Sequence, residues 1–354
     1  MYNKGEELRR LFDKTFLCVG HRRMVKFFKS ENEKIVQLEA FESRCWVEMV
    51  NPTDEEVENI VALSGIPEGL LKAALDEEES ARVEVDDGAT MYIVDSPMIV
   101  GTEEGDQYTT IPVAIIYNPK CIVTVSLNTD PILTGFACGR AKISTGKPVG
   151  FVLNFMLGNV KRFSSLLKQI DKKSLRLQEE LHKSMRNQEL IELLDLQNSL
   201  VYFSTALSAN STVHGRLSRL ESVQNNEEYQ DLQEDVLIET KQAVEMCSIY
   251  RDILKTTMDA FSSVISNNVN HVVKSLTIIT ILVAIPTLIA GLLGMNIKLP
   301  FGMDTVNGSP WEFWIVLAIS VLLVAIFSVV LVKSTGSIRM RTPKQKKKKK
   351  RRKD

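Results

Sequence analysis

Leu276–Leu293 reads LTIITILVAIPTLIAGLL, eighteen residues without a charge. With Ser275 before it and Gly294 and Met295 after it, the run reaches the length an α-helix needs to cross about 30 Å of hydrocarbon. A second run, Trp311–Val332, reads WEFWIVLAISVLLVAIFSVVLV, and its one charge, Glu312, stands at the edge. Helices this long and apolar on every side suit lipid better than a soluble core. Two transmembrane helices are therefore expected near the C-terminus, over 275–295 and 311–332.

The flanks orient them. Lys274 precedes the first run, and Lys333, Arg339, Arg341 and the tail Lys344–Lys353, KQKKKKKRRK, follow the second. The connecting segment 296–310 holds only Lys298 and Asp304 as charges. Basic residues stay in the cytoplasm, so both termini are expected inside a cell (inner or plasma) membrane and the short loop outside. Trp311 and Trp314 suit the outer interface. The tail, 333–354, is read as a polybasic segment that meets anionic lipid headgroups rather than nucleic acid.

Upstream, no proline occurs between Pro148 and Pro286. Helical periodicity runs through Val152–Met185, then Glu189–Ser222, then onward from about Glu227. In the last segment Cys247, Tyr250, Leu254, Met258, Phe261, Ile265, Val269, Val272 and Leu276 recur at three- and four-residue steps, the pattern of a helical seam. No breaker separates this seam from the first membrane run. One helix from about Glu227 to Leu293 is expected, about 100 Å long at 1.5 Å per residue. Such a helix needs partners to be stable, so the stalk 148–274 predicts an oligomer.

Residues 24–147 read as a mixed α/β domain, and 1–23 as an N-terminal extension without the apolar core of a signal peptide. Strands are expected at Arg44–Val50, Arg82–Asp86, Ala89–Asp95, Thr110–Tyr117 and Cys121–Leu127, with a turn at Asn118-Pro119-Lys120. A helix capped by Thr53 and closed by Gly65 is expected, then a short one over Pro67–Leu75. The five cysteines and four histidines are scattered. That excludes a disulfide framework, a cysteine zinc site and an HExxH centre, and fits a reducing compartment. No phosphate loop, nucleophile elbow or other catalytic constellation is present, so an enzyme is not expected. The acidic run Asp76–Glu79 has two readings, a solvated helix end or part of a cation-sensing surface. His271 has two as well, a solvated helix position or a transition-metal contact.

Gly294-Met295-Asn296 stands at the outer end of the first run. With two C-terminal spans, a cytoplasmic α/β domain, a long helical stalk and AVEMCSIYRDILKTTMDAFSSVISNNVNHVVKSLTIIT before it, the tripeptide resembles the CorA family of metal-ion transporters, over about Met24–Met340. The resemblance implies an α+β membrane protein: a funnel-shaped homopentamer whose first span lines the pore. It makes Gly294, Met295 and Asn296 the selectivity motif, Asn270 the polar inner position, and Val273 and Leu276 the apolar collar. Thr280, Ala284 and Thr287 fall on the same helical face. It also implies a regulatory metal site between subunits in which Asp235 matches the stalk carboxylate. The partner position falls at Lys72–Ala73, which cannot ligate Mg²⁺, so Asp76 or Glu77 would substitute. Leu293 stands where many members have tyrosine, and the outer loop is less acidic than in many.

Mg²⁺ is a hard cation that sheds its waters reluctantly, and uncharged oxygens suffice to hold its hydrated form. The function implied is passive uptake of Mg²⁺, with Co²⁺ or Ni²⁺ possible, gated by internal Mg²⁺. No cofactor is expected beyond transported and regulatory Mg²⁺. A zinc transporter of the ZntB branch, coupled to protons, and a membrane-anchored scaffold are the alternatives.

Overall fold

The computed structural model describes residues 24–31, 34–102, 105–184, 187–294 and 310–335. They divide into two compact units, one ending at Asp259 and one beginning at Ala260.

The first unit is built on a seven-stranded sheet in the order β2-β1-β3-β7-β6-β5-β4. The strands are β1 Met24–Glu31, β2 Lys34–Leu38, β3 Cys45–Val50, β4 Arg82–Asp86, β5 Ala89–Thr102, β6 Gly105–Tyr117 and β7 Cys121–Ser126. Only β3 and β7 run parallel. Both are buried at every position, as central strands covered on both faces must be. On one face Val47, Met49, Met91 and Val123 pack under α1 (Asp54–Ser64) and α2 (Glu68–Lys72), which a 3₁₀ turn, Ala73–Leu75, follows. On the other, Trp46, Tyr92, Val113 and Ile122 pack under α3 (Pro131–Ala137), α4 (Pro148–Ser184), α5 (Asn187–Leu217), α6 (Glu221–Gln224) and the start of α7 (Glu227–Leu293).

Local signals explain the ends of these elements. Thr53 accepts from Glu56 N (3.2 Å) while the Glu56 carboxylate accepts from Thr53 N (2.8 Å), a reciprocal cap. Gly65 closes α1 at φ 75°, where a Cβ would be strained, and donates to Val61 O. Asn118 holds the β6–β7 turn by accepting from Lys120 N and Cys121 N.

Three differences from the sequence reading have physical causes. The hairpin β1–β2 was not expected, because β2 is a short edge strand with little apolar alternation. Strands β5 and β6 run well past the predicted Asp95 and Thr110. Pro97 argues against a strand, but it lies where β5 has lost its outer neighbour, since β4 pairs only as far as Ile93. Helices seal that open edge. Asn210 Nδ2 donates to Asp95 O (2.8 Å) while its Oδ1 accepts from Asp95 N (2.9 Å). Asn159 donates to the same carbonyl and Arg162 to Pro97 O, both at 2.9 Å. Finally, the helix read as Glu189–Ser222 is two, because the chain turns after Leu217 to seat Val223 in the core.

The boundary expected at 147/148 falls inside one core. Phe151, Val152 and Phe155 of α4 pack with Trp46 and Ile115 of the sheet. Gly158 brings α4 so close to α3 that a Cβ there would meet Ile132 Cγ2 at 2.9 Å.

The second unit holds the remainder of α7, including Pro286, and α8 (Pro310–Thr335). Helix α7 covers the span of residues predicted for it, Glu227 to Leu293.

Candidate functional site: the uncharged stripe of the long helix

Among the described residues, one helix is long and apolar enough to cross a membrane, α7 as far as Gly291, and its most apolar eighteen residues are unburied. Val272, Val283 and Leu288 are 68%, 63% and 66% exposed. An apolar surface this continuous is not left bare to water by a folded monomer. Helix α8 contributes a shorter apolar stretch, Leu317–Phe327, with Leu317, Val321 and Leu322 exposed.

The residues expected to face a pore lie on this helix. Val273, Thr280 and Thr287 repeat every seven residues, and Asn270 and Ala284, fourteen residues apart, lie beside them. With Leu276, all six are exposed. Thr280 Oγ1 donates to Leu276 O (2.9 Å) and Thr287 Oγ1 to Val283 O (2.8 Å). Each hydroxyl proton is thereby used within the helix, and the oxygen lone pairs remain as acceptors. No Asp, Glu, Lys or Arg interrupts 275–294. The stripe can accept hydrogen bonds from the waters of a hydrated cation but cannot strip them with a carboxylate.

Gly294 ends the helix in a turn, donating to Ala290 O at 3.0 Å. A Cβ there would lie 3.2 Å from the same carbonyl, tighter than an ordinary contact. Met295 and Asn296 lie outside the described residues, as does the basic tail. His271 is exposed, and its carbonyl accepts from Ser275 Oγ (2.9 Å). Trp314 is exposed.

The expected regulatory carboxylates sit apart from this stripe in sequence. Asp235, Asp76 and Glu77 are exposed. Asp76 Oδ1 accepts from Glu78 N (3.0 Å), and Glu79 pairs with Arg82, so half of the acidic run serves its own turn. Lys72 binds Asp54 (2.7 Å) and Glu68 (2.8 Å), which raises its pKa and lowers that of Asp54. Among the described residues of one chain, no three His, Cys, Asp or Glu side chains converge on a metal-sized space.

Known proteins share this fold. The family model described as CorA-like Mg²⁺ transporter protein matches residues 41–333. The chain belongs to the CorA family. It is thus a divalent-cation transporter and not an enzyme, as the resemblance implied. The cobalt/magnesium transport protein CorA of Methanocaldococcus jannaschii is 30% identical over 292 residues, 80% of this chain and 88% of that protein. The complete structure of the CorA magnesium transporter from that organism superposes with a TM-score of 0.72 at 26% identity, covering 87% of this chain and 96% of that one. The full-length CmaX protein has the same fold, with a TM-score of 0.63 at 14% identity, over 91% of this chain and 99% of that one. The α+β architecture with its long helix is therefore that of a full-length CorA protein.

Sequence reasoning missed the polar residues that tie the helices to one another and to the sheet. Asn159, Asn210, His214, Gln233 and Thr240 are all buried. Their signal was polar residues at seam positions of otherwise apolar helices. Burial alone holds His214 neutral, its pKa pushed down to about 4, and pushes Asp95 up to about 6.

Proposed function

We propose that copies of this chain assemble around α7 and take up hydrated Mg²⁺, with Co²⁺ as a second cargo, through a pore lined by Asn270, Val273, Leu276, Thr280, Ala284 and Thr287. The observation that carries this reading is the bare apolar length of α7, which bears uncharged oxygen acceptors at Thr280 and Thr287 and no charged side chain over 275–294. The name of the Methanocaldococcus relative supports the choice of ions. In this reading Asn296 and the Gly294 carbonyl ring the outer mouth and hold the ion through its waters. Val273 and Leu276 form a collar that blocks ions when it is narrow and dry.

The assembly is a pentamer with 275–295 and 311–332 as spans, 296–310 outside, and both termini inside a cell membrane. The tail 333–354 rests on anionic headgroups. Internal Mg²⁺ bridging Asp235 of one copy to Asp76 or Glu77 of the next holds the collar closed, and its loss lets like charges part the subunits.

The test is cation entry into liposomes holding the full chain, read for Mg²⁺, Co²⁺, Ni²⁺ and Zn²⁺ with and without a pH gradient. Mg²⁺ entry is expected to be fastest, to ignore the gradient, and to fall to the leak rate in Asn296→Ala while the assembled size is unchanged. Gradient-driven Zn²⁺ entry, or an Asn296→Ala protein that conducts normally, would overturn the reading.

A further inference from the structure

Helices α5 and α7 meet in an antiparallel seam. The Cys247 thiol donates to Leu200 O (3.4 Å), Arg251 Nη1 donates to Ser204 Oγ (3.3 Å), and His214 meets both Gln233 and Thr240. From the Leu200–Cys247 contact to those of His214 with Gln233 and Thr240, rising numbers on α5 face falling numbers on α7. The buried residues beside these contacts are apolar, Leu200 and Leu207 on α5 and Val236, Ala243 and Cys247 on α7. Such a surface repeats every three or four residues. It would tolerate a slide of one helical turn, about 5.4 Å, with similar burial.

One cluster does not repeat. His214 and Asn210 are fully buried, Thr240 and Gln233 nearly so. Thr240 Oγ1 donates to Val236 O (2.6 Å), so it must accept from His214 Nδ1–H at 2.9 Å, which fixes the tautomer. Gln233 Nε2 donates to His214 O at 2.9 Å. One turn back on α5, Asn210 grips both backbone groups of Asp95 in β5. Thus one short stretch of α5 is bolted to the sheet on one side and to α7 on the other. His214 Nε2 and Gln233 Oε1 find no hydrogen-bond partner among the described residues. Apolar residues would fill these positions with fewer stranded groups, so the cluster is better explained by specificity than by stability.

We propose that Asn210, His214, Gln233 and Thr240 form a register lock that holds α7 at one axial position against α5, and that they are positioning residues for transport. Any slide of α7 breaks both His214 bonds at once and leaves buried donors unpaired. Helix α7 continues without interruption to Leu293, so the residues that line the pore in the transport reading share the helix whose register is set here. The inference rests on that reading for its consequence, though not for the lock itself.

The test uses the full chain in liposomes with Cys18 and Cys138 changed to Ser, leaving Cys247 as the reporter on α7. A second cysteine is placed one turn to either side of Leu200, as Gln197→Cys or Ser204→Cys, and a copper–phenanthroline oxidant is added. In the locked chain both cross-links to Cys247 form slowly. Thr240→Val is expected to raise the yield of one of them at least threefold and to change the initial Mg²⁺ entry rate at least threefold. Thr240→Ser, which restores the hydroxyl, is expected to return both to the original values. Should Thr240→Val not fold, Gln233→Met breaks the other bond and carries the same expectation. Unchanged cross-links in a folded lock variant would overturn the lock, even if its melting temperature fell. Altered cross-links with flux within twofold of the original would overturn the positioning role. A starting chain that conducts no divalent ion would instead sink the transport reading, and the cross-links would still decide the lock.

Discussion

Two stretches of α7 carry the same kind of apolar spacing and meet opposite fates. From Gln233 to Leu254 the inward positions Val236, Ala243, Cys247 and Leu254 are buried by the chain itself. From Ile265 to Leu288 the corresponding apolar residues are exposed. A helical stripe states that something must cover it and does not state what. In the first stretch α5 supplies the cover. In the second, lipid and further copies of the chain are the proposed cover.

Truncating a large side chain should separate the closed core of the first unit from the second stretch most sharply. Trp46, in the core beneath α4, is wholly buried, donates to Thr124 Oγ1 (2.9 Å), and lies 4.7 Å from the Phe28 ring and 5.3 Å from Phe151. Trp46→Ala should cost about 3–5 kcal/mol in urea unfolding followed by far-ultraviolet circular dichroism. Leu276→Ala should change the same curve by less than about 0.5 kcal/mol while altering the Mg²⁺ entry rate. A large unfolding effect at Leu276 would show that the second stretch has a closed core after all.

A smaller effect, of about 1–3 kcal/mol, is expected from pH. Burial pushes the folded pKa of Asp95 up to about 6 from its ordinary 3.8, so in the folded state it binds a proton that the unfolded chain has released between those values. That group adds stability as pH falls through the window. Burial pushes the folded pKa of His214 down to about 4 from its ordinary 6.5, so the unfolded chain binds the extra proton and stability is lost over nearly the same window. The two contributions oppose each other. Asp95→Asn should be more stable than the original at pH 7 and should lose stability more steeply on acidification to pH 4. His214→Gln should tilt the other way. Parallel pH profiles for the two variants would contradict the assigned burial.

The smallest effect tests a surface cap. Thr53→Ala removes one arm of the reciprocal cap of α1 and should cost about 1 kcal/mol, with no change in ion flux. A flux change would tie α1 to the transport machinery.

How much could be read beforehand follows the range of the forces involved. The helix from Glu227 to Leu293 was legible because eighteen uncharged residues and an unbroken seam are local patterns. So were the Thr53 and Gly65 ends of α1. Helix α3 was missed although Asp130-Pro131 announced it: Asp130 accepts from Ile132 N and Leu133 N as its cap. The polar stripe from Asn270 to Thr287 was placed by spacing and by resemblance, and its role in a pore stands as a proposal. Asn210 and His214 were not legible, because their partners in β5 and α7 are 115 and 26 residues away.

By itself the sequence determined which segments must avoid water, where helices begin and end, and that no charged ligand lies along the apolar run of α7. Those follow from composition and near-neighbour chemistry. Only the tertiary structure decided that Pro97 sits in a strand, that α4 and the sheet form one core across residue 147, and that α5 clasps α7 through His214. Each of these turns on a backbone or side-chain group finding a distant partner, and burial makes such pairing obligatory without naming the partner in advance.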